Sequence, residues 1–180
     1  MSAASGRSVP STWFQWHVRL IHADVRVLDL ACGKGIHAIA AAKRGATVVA
    51  VDGDATRLQE AERAAQKAKV AVEFVQADLS GAPIPNGPYG FVLQFNYLDR
   101  RRLPDFLDAV EPGGYFLAET FLEQQRELGW GPTSDEHLLK TGELWTLLGH
   151  FEIVLAREVL ETLDGRTKAV ASVLARRPPE

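Results

Sequence analysis

Three aspartates and a pair of close glycines are the groups in this sequence best suited to hold a polar ligand. Asp29, Asp52 and Asp78 each lie in or just after an apolar run, and Gly33 and Gly35 follow the first run in Asp29-Leu30-Ala31-Cys32-Gly33-Lys34-Gly35. Glycines at such a turn let the backbone approach a ligand, and a helix beginning beyond them presents free N–H groups. A carboxylate placed as Asp52 is can accept hydrogen bonds from both hydroxyls of a ribose. The Asp78 carboxylate can receive an adenine amino group while the Leu79 N–H donates to the ring. These groups describe a nucleoside cradle. The glycines alone do not choose between cofactors, since Gly33 to Ala38 (GKGIHA) also fits the dinucleotide pattern G-x-G-x-x-G/A.

A cradle of this kind needs strands whose carboxyl ends converge. Val25 to Leu30 reads as a β-rich run that stops at the glycine turn, and Ile36 to Arg44 then turns alanine-rich and helical. Gly45 closes that helix, Thr47 to Asp52 forms a second strand, Ala55 to Lys69 a charged amphipathic helix, and Val72 to Gln76 a third strand. The Pro-, Gly- and Asn-rich stretch Gly81 to Gly90 predicts a loop where a crossover helix would otherwise stand. Phe91 to Phe95 and Tyr115 to Glu119 are further strands, separated by a short helix at Pro104 to Val110 and a turn at Pro112-Gly113-Gly114. Thr120 to Lys140 shows no clear period and is expected to be a lid or substrate loop. Thr141 is expected to cap a last helix reaching Leu148, and Ile153 to Glu161 and Ala169 to Ala175 make a hairpin around Leu163-Asp164-Gly165. The tail from Arg176 is expected to fray. The fold class is therefore α/β: a doubly wound, mostly parallel sheet of seven strands with a C-terminal antiparallel hairpin.

With 180 residues, 46% hydrophobic and 24% charged, one domain over 1–180 accounts for the chain, with 1–23 a short N-terminal cover and 120–140 the lid. A formal charge of −3 lacks the footprint of a nucleic-acid binder, and no apolar stretch suggests a signal peptide or membrane span. The single cysteine, Cys32, fits a reducing compartment, and the cytoplasm is the expected location. The five histidines have no metal-ligand spacing, so no metal is expected. Monomer and homodimer both remain open.

The motifs VLDLACGKG, VVAVDGD, VQADL, FVLQFNYL and EPGGYFLAE make the chain, over roughly Val25 to Arg177, resemble the class I methyltransferases that depend on S-adenosylmethionine (SAM). Gly131-Pro132, Leu138-Leu139 and Gly142-Glu143-Leu144 make it most similar to the small tellurite-resistance type. That family carries its first acidic residue inside strand one, as Asp29 is here, which favours SAM over a nicotinamide cofactor. The resemblance implies that Asp29, Ala31, Gly33 and Gly35 surround the methionine part, Asp52 the ribose, Gly53 and Asp78 with Leu79 the adenine, and Phe95 with Asn96 the sulfonium. Ala31 departs from the family, which commonly has glycine there; alanine fits only with a negative or a strained φ.

Methyl transfer is an in-line displacement for which the protein mainly supplies alignment. Asn96, Tyr97 and Arg100 are the candidate catalytic residues, with Glu119 and His37 nearby and Trp13, Trp16 and Trp130 as covers. Within the run Arg100-Arg101-Arg102, at least one arginine is expected to draw in an anionic acceptor. Gln94-Phe95-Asn96-Tyr97 replaces the N/D-P-P-Y/F run of many enzymes that methylate amide and amino nitrogen, so those acceptors are disfavoured. Because little chain lies outside the cofactor-binding elements, a small-molecule acceptor is expected. The alternatives are a nicotinamide-dependent oxidoreductase and a non-catalytic SAM-binding module.

Overall fold

The computed structural model describes residues 9–179. A helix α1 (Thr12–His17) runs into a 3-10 turn (Val18–Leu20) and is followed by β1 (Arg26–Leu30), α2 (Ile36–Ala42), β2 (Thr47–Asp52), α3 (Ala55–Ala68), β3 (Glu73–Gln76) and β4 (Tyr89–Phe95). Then come α4 (Leu103–Asp108), β5 (Val110–Phe121), two 3-10 turns, α5 (Glu143–Leu147), β6 (Glu152–Leu163) and β7 (Arg166–Arg176). The sheet order is β3-β2-β1-β4-β5-β7-β6, with β7 antiparallel to both of its neighbours and every other pair parallel. Strand order reverses between β1 and β4, and a crevice opens at such a switch point beyond the carboxyl ends of the strands.

Local chemistry explains the elements. In α3 the buried residues Leu58, Ala61 and Ala65 recur at three- and four-residue spacing, and Asp54 caps the helix by accepting from the Thr56 and Arg57 N–H groups. The β6–β7 turn is the two-residue loop Asp164-Gly165, with φ of 52° and 73°, the left-handed pair that suits a two-residue hairpin. The connection from β3 to β4 contains no helix, as its proline and glycine content predicts.

Several expectations need correction. Gly142, not Thr141, precedes the last helix, which starts at Glu143; the Glu158 carboxylate accepts from the Gly142 N–H and draws that turn onto β6. Strand β5 begins at Val110, because Val110 pairs with Tyr89 ahead of the Pro112-Gly113-Gly114 irregularity. The tail does not fray at Arg176: the Arg177 N–H donates to the Gly114 carbonyl, and its guanidinium to the carbonyls of Asp108 and Val110. Of the expected N-terminal cover, residues 1–8 lie outside the described residues. Residues 12–20 form helical turns packed on one face of the sheet.

Two apolar layers flank the sheet. On one face Leu28, Leu30, Val92 and Phe116 pack with Phe106 of α4 and Leu144 of α5. On the other, Val27, Phe91, Leu93 and Leu117 pack with α2 and with Trp13, Phe14 and Ile21 of the N-terminal segment. Trp13 is fully buried and its indole N–H donates to the Val173 carbonyl at 3.1 Å, pinning that segment to β7. Trp13→Ala is expected to lower the unfolding free energy by about 3–5 kcal/mol, read as a fall in the urea midpoint.

Candidate functional site

The turn after β1 bends through three left-handed residues, Ala31 (φ 53°), Gly33 (φ 54°) and Gly35 (φ 72°). Ala31 thus takes the strained alternative. A Cβ on Gly33 would meet nothing within 4 Å, so its backbone faces open space, whereas one on Gly35 would strike Ala61 at 3.0 Å and Phe74 at 3.2 Å. Gly35 therefore serves packing against α3 as well as the turn.

Asp52, at the end of β2, holds this turn. Its Oδ2 accepts from the Gly33 N–H at 2.7 Å and its Oδ1 from the Asp54 N–H at 2.9 Å, while its carbonyl accepts from the Ala77 N–H at 3.0 Å. A carboxylate oxygen has two lone pairs, so each oxygen of Asp52 keeps one for a ligand hydroxyl. Asp29 lies inside β1, buried, with Oδ2 accepting from the Ala38 N–H at 3.0 Å, so that it anchors the first turn of α2. Burial, opposed by that hydrogen bond and reinforced by the nearby Asp52, pushes the Asp29 carboxyl up to about 7.

Asp78 follows β3 and is exposed. Hydrogen bonds from Ser80 hold its carboxyl below the usual range. Leu79 beside it is buried, and among the described residues its N–H has no backbone acceptor. Gly53 is exposed on the same rim. Beyond β4, Phe95 stacks on His37 with centroids 4.1 Å apart, and Phe14 of α1 packs against both rings. The His37 Nε2 accepts from the Ser11 N–H, which joins the N-terminal segment to the turn's own helix. Asn96 is exposed with φ 55°, its N–H donating to the Glu119 carbonyl at 2.8 Å. Tyr97 is half-buried and packs on Phe106; burial, then Asp99, raises its hydroxyl above the ordinary tyrosine value.

The structure thus brings Asp29, Ala31, Gly33, Gly35, Asp52, Gly53, Asp78, Leu79, Phe95, Asn96 and Tyr97 to one end of the sheet. Arg100 is placed differently from a residue waiting for an anion, since its guanidinium is taken up by the Glu143 carboxylate and by carbonyls of the long loop. Glu119 is likewise engaged: Oε1 meets the Lys168 ammonium, and Oε2 accepts from Ser172 at 2.9 Å and Arg157 at 3.2 Å. Trp13 and Trp16 flank Arg157 at 5.0 and 4.8 Å. Trp130 packs on Phe121 and donates to the Thr167 carbonyl. Sequence reasoning missed Lys168, Ser172 and Arg157, because their meeting depends on the register of β5, β7 and β6.

A family model described as a methyltransferase domain matches residues 27–114, the span from β1 into β5 that holds most of this site. Residues 27–114 thus form a methyltransferase domain of the class I, SAM-dependent kind. The cofactor of this methyltransferase is accordingly SAM, and the groups present fit it: spare acceptor lone pairs on Asp52, the Leu79 N–H as a donor, and open space at the Gly33 turn. By sequence, the methyltransferase is 34% identical over 105 residues to the ribosomal protein L11 methyltransferase of Thermus thermophilus, covering 57% of this chain and 41% of that one. It spans about two fifths of the curated relatives it matches. Among solved structures, TehB from Haemophilus influenzae shares the fold with a TM-score of 0.79 at 18% identity, over 96% of this chain and 64% of that one. A SAM-dependent methyltransferase from Methanosarcina mazei has a TM-score of 0.71 at 20% identity, over 96% of this chain and all (100%) of that one.

The relatives' name overturns the expectation of a small-molecule acceptor, since a ribosomal protein is a protein acceptor. The physical reason is that a protein brings its own folded surface and need insert only one group. The amount of chain left over for a pocket therefore does not bound acceptor size. No described helix is long and apolar enough to cross a membrane.

Two predictions follow from the turn. Ala31→Gly relieves a left-handed alanine and is expected to stabilise the fold by about 0.5–1 kcal/mol in urea titrations. The folded-state value of Asp29 is raised, so its contribution to stability is full below the unfolded value near 4 and is lost as pH rises through about 7. Asp29→Asn does not titrate, so its stability relative to the parent should improve by on the order of 1 kcal/mol per pH unit across that window and level off above it.

Proposed function

We propose that this methyltransferase transfers the methyl group of SAM to a protein side chain presented at the exit of β4. The observation that carries the reading is the carboxylate of Asp52 held by the Gly33 and Asp54 N–H groups beside the switch point, which leaves each of its oxygens one lone pair for a ligand hydroxyl. In this reading Asp52 receives the ribose hydroxyls. Gly53, Asp78 and the Leu79 N–H frame the adenine, and the turn from Ala31 to Gly35, backed by Asp29, borders the methionine part. Phe95 and Asn96 border the sulfonium, where an aromatic ring and an amide oxygen are favourable neighbours for a cation.

SAM supplies an activated methyl carbon, and the chain supplies alignment and exclusion of water. Asn96 is suited to orienting the acceptor, because its backbone is fixed by the Glu119 carbonyl while its side chain stays exposed. Tyr97 walls the same exit. Its raised hydroxyl and the fully engaged carboxylate of Glu119 leave neither as a general base, so the acceptor atom is expected to arrive with its lone pair free. The ribosomal protein L11 methyltransferases supply the precedent for a protein acceptor.

The test has two parts. Asp52→Ala should weaken S-adenosylhomocysteine binding by at least about tenfold in calorimetry, the loss of a charged hydrogen-bond acceptor. Incubation with methyl-labelled SAM and purified ribosomal protein L11 or total ribosomal protein should place label in protein. Label found only in small molecules, or none despite intact cofactor binding, would overturn the reading.

A further inference from the structure

The run Arg100-Arg101-Arg102 leaves β4 at the site's edge, and its outer members reach in opposite directions. Arg100 forks onto Glu143, with Nε to Oε1 at 2.5 Å and Nη2 to Oε2 at 3.0 Å. The same guanidinium donates to the carbonyls of Leu138 at 2.6 Å and of Asp135 and Glu136 at 3.2 Å each. One side chain thus ties the long loop and the start of α5 to the exit of β4. Arg102 donates to the carbonyls of Leu79 at 2.7 Å and Ala82 at 2.9 Å, with Asp105 holding its Nε at 2.8 Å. Its grip falls on the loop that follows Asp78.

Asp99 makes the divergence possible. Its Oδ1 accepts from the N–H groups of Arg101 at 3.0 Å and Arg102 at 3.3 Å, which closes a tight turn and leaves the Arg101 side chain 82% exposed. A guanidinium carries five donors on three nitrogens in a rigid fork, so one arginine reaches separated carbonyls and a carboxylate in fixed directions, whereas the three donors of a lysine radiate from a single atom. These bonds are inward and specific. They differ from a solvated basic run, which would attract anions without fixed partners.

We propose that Arg100 and Arg102 are positioning residues forming a two-armed brace: Arg102 sets the adenine-side loop 78–82, and Arg100 sets the acceptor-side loop 122–142. The assignment rests on the adenine seat at Asp78 and Leu79 given above. By fixing the Leu79 carbonyl, Arg102 orients the Leu79–Ser80 peptide, whose N–H holds the Asp78 carboxylate, and so acts on cofactor affinity without touching the cofactor. Arg100 acts on the other loop, where Trp130 and Gln125 already fasten the far end to β7 and the Leu122–Leu139 bridge closes the base. Arg100 is the fastening on the β4 side.

The test is a crossed comparison of Arg100→Met and Arg102→Met in the full chain, each read by S-adenosylhomocysteine calorimetry and by the rate of tryptic cleavage after Arg126 and Lys140. Arg102→Met should weaken binding about tenfold while loop cleavage stays at the parent rate. Arg100→Met should speed cleavage about tenfold while binding stays within about twofold. Equal loss of binding in both variants, or no loss in Arg102→Met, overturns the brace. If either variant fails to fold, the lysine versions replace them, because lysine keeps the charge but lacks the planar fork of separated nitrogens, and the same crossed pattern is required. Asp78→Ala reads the seat separately. Unchanged binding there means that seat and brace fall together, whereas weakened binding with a silent Arg102→Met rejects the brace alone.

Discussion

The carboxylate of Asp52 sits where three loops meet, and the cofactor end of the sheet is organised around it. Its side chain receives the Gly33 and Asp54 N–H groups and its carbonyl receives that of Ala77, so one residue ties together the exits of β1, β2 and β3. The Cys32 N–H adds a bond to the Val51 carbonyl one residue earlier. Ala31, Gly33 and Gly35 all have positive φ, a conformation with an intrinsic cost for alanine and an entropic cost for glycine. A charge-assisted bond in a sheltered site offsets part of that cost and fixes the turn before a ligand arrives.

Asp29 adds a second constraint. It spends its hydrogen bond on Ala38 and lies buried beside Asp52, so two carboxylates share a small volume and burial holds the inner one close to neutrality. The outer one stays available for polar contacts. The division of labour follows from depth: Asp29 lies within the strand and Asp52 at its last residue.

On the antiparallel side, one register row runs from Phe95 of β4 through Glu119 of β5 and Ser172 of β7 to Arg157 of β6. Phe95 begins it under His37 and Phe14, and Arg157 ends it under Trp13 and Trp16. The N-terminal segment is therefore laid across the row by aromatic contacts at both ends. Glu119 and Lys168 are almost completely buried as partners, an arrangement that holds only while both stay paired, so the row also fixes the hairpin against β5.

By itself, the amino-acid sequence determined the alternation of apolar strands with α2 and α3, the turn with its glycines, the two-residue hairpin loop, and the succession of Asp29, Asp52 and Asp78 at strand ends. These are legible because strand and helix periods, turn chemistry and spacing act within a few residues. It did not determine the strain at Ala31, the cap at Gly142, the extent of β5, or the partners of Glu119 and of Arg100 and Arg102. Those depend on groups that meet only across sheet register or between loops 20 to 50 residues apart, as in the contacts of Arg102 with Leu79 and Arg157 with Glu119. A charged side chain in a sequence declares what it can bind; which of several carbonyls and carboxylates lies within its reach is a distance, and packing of the sheet, the loops and α1 decided it.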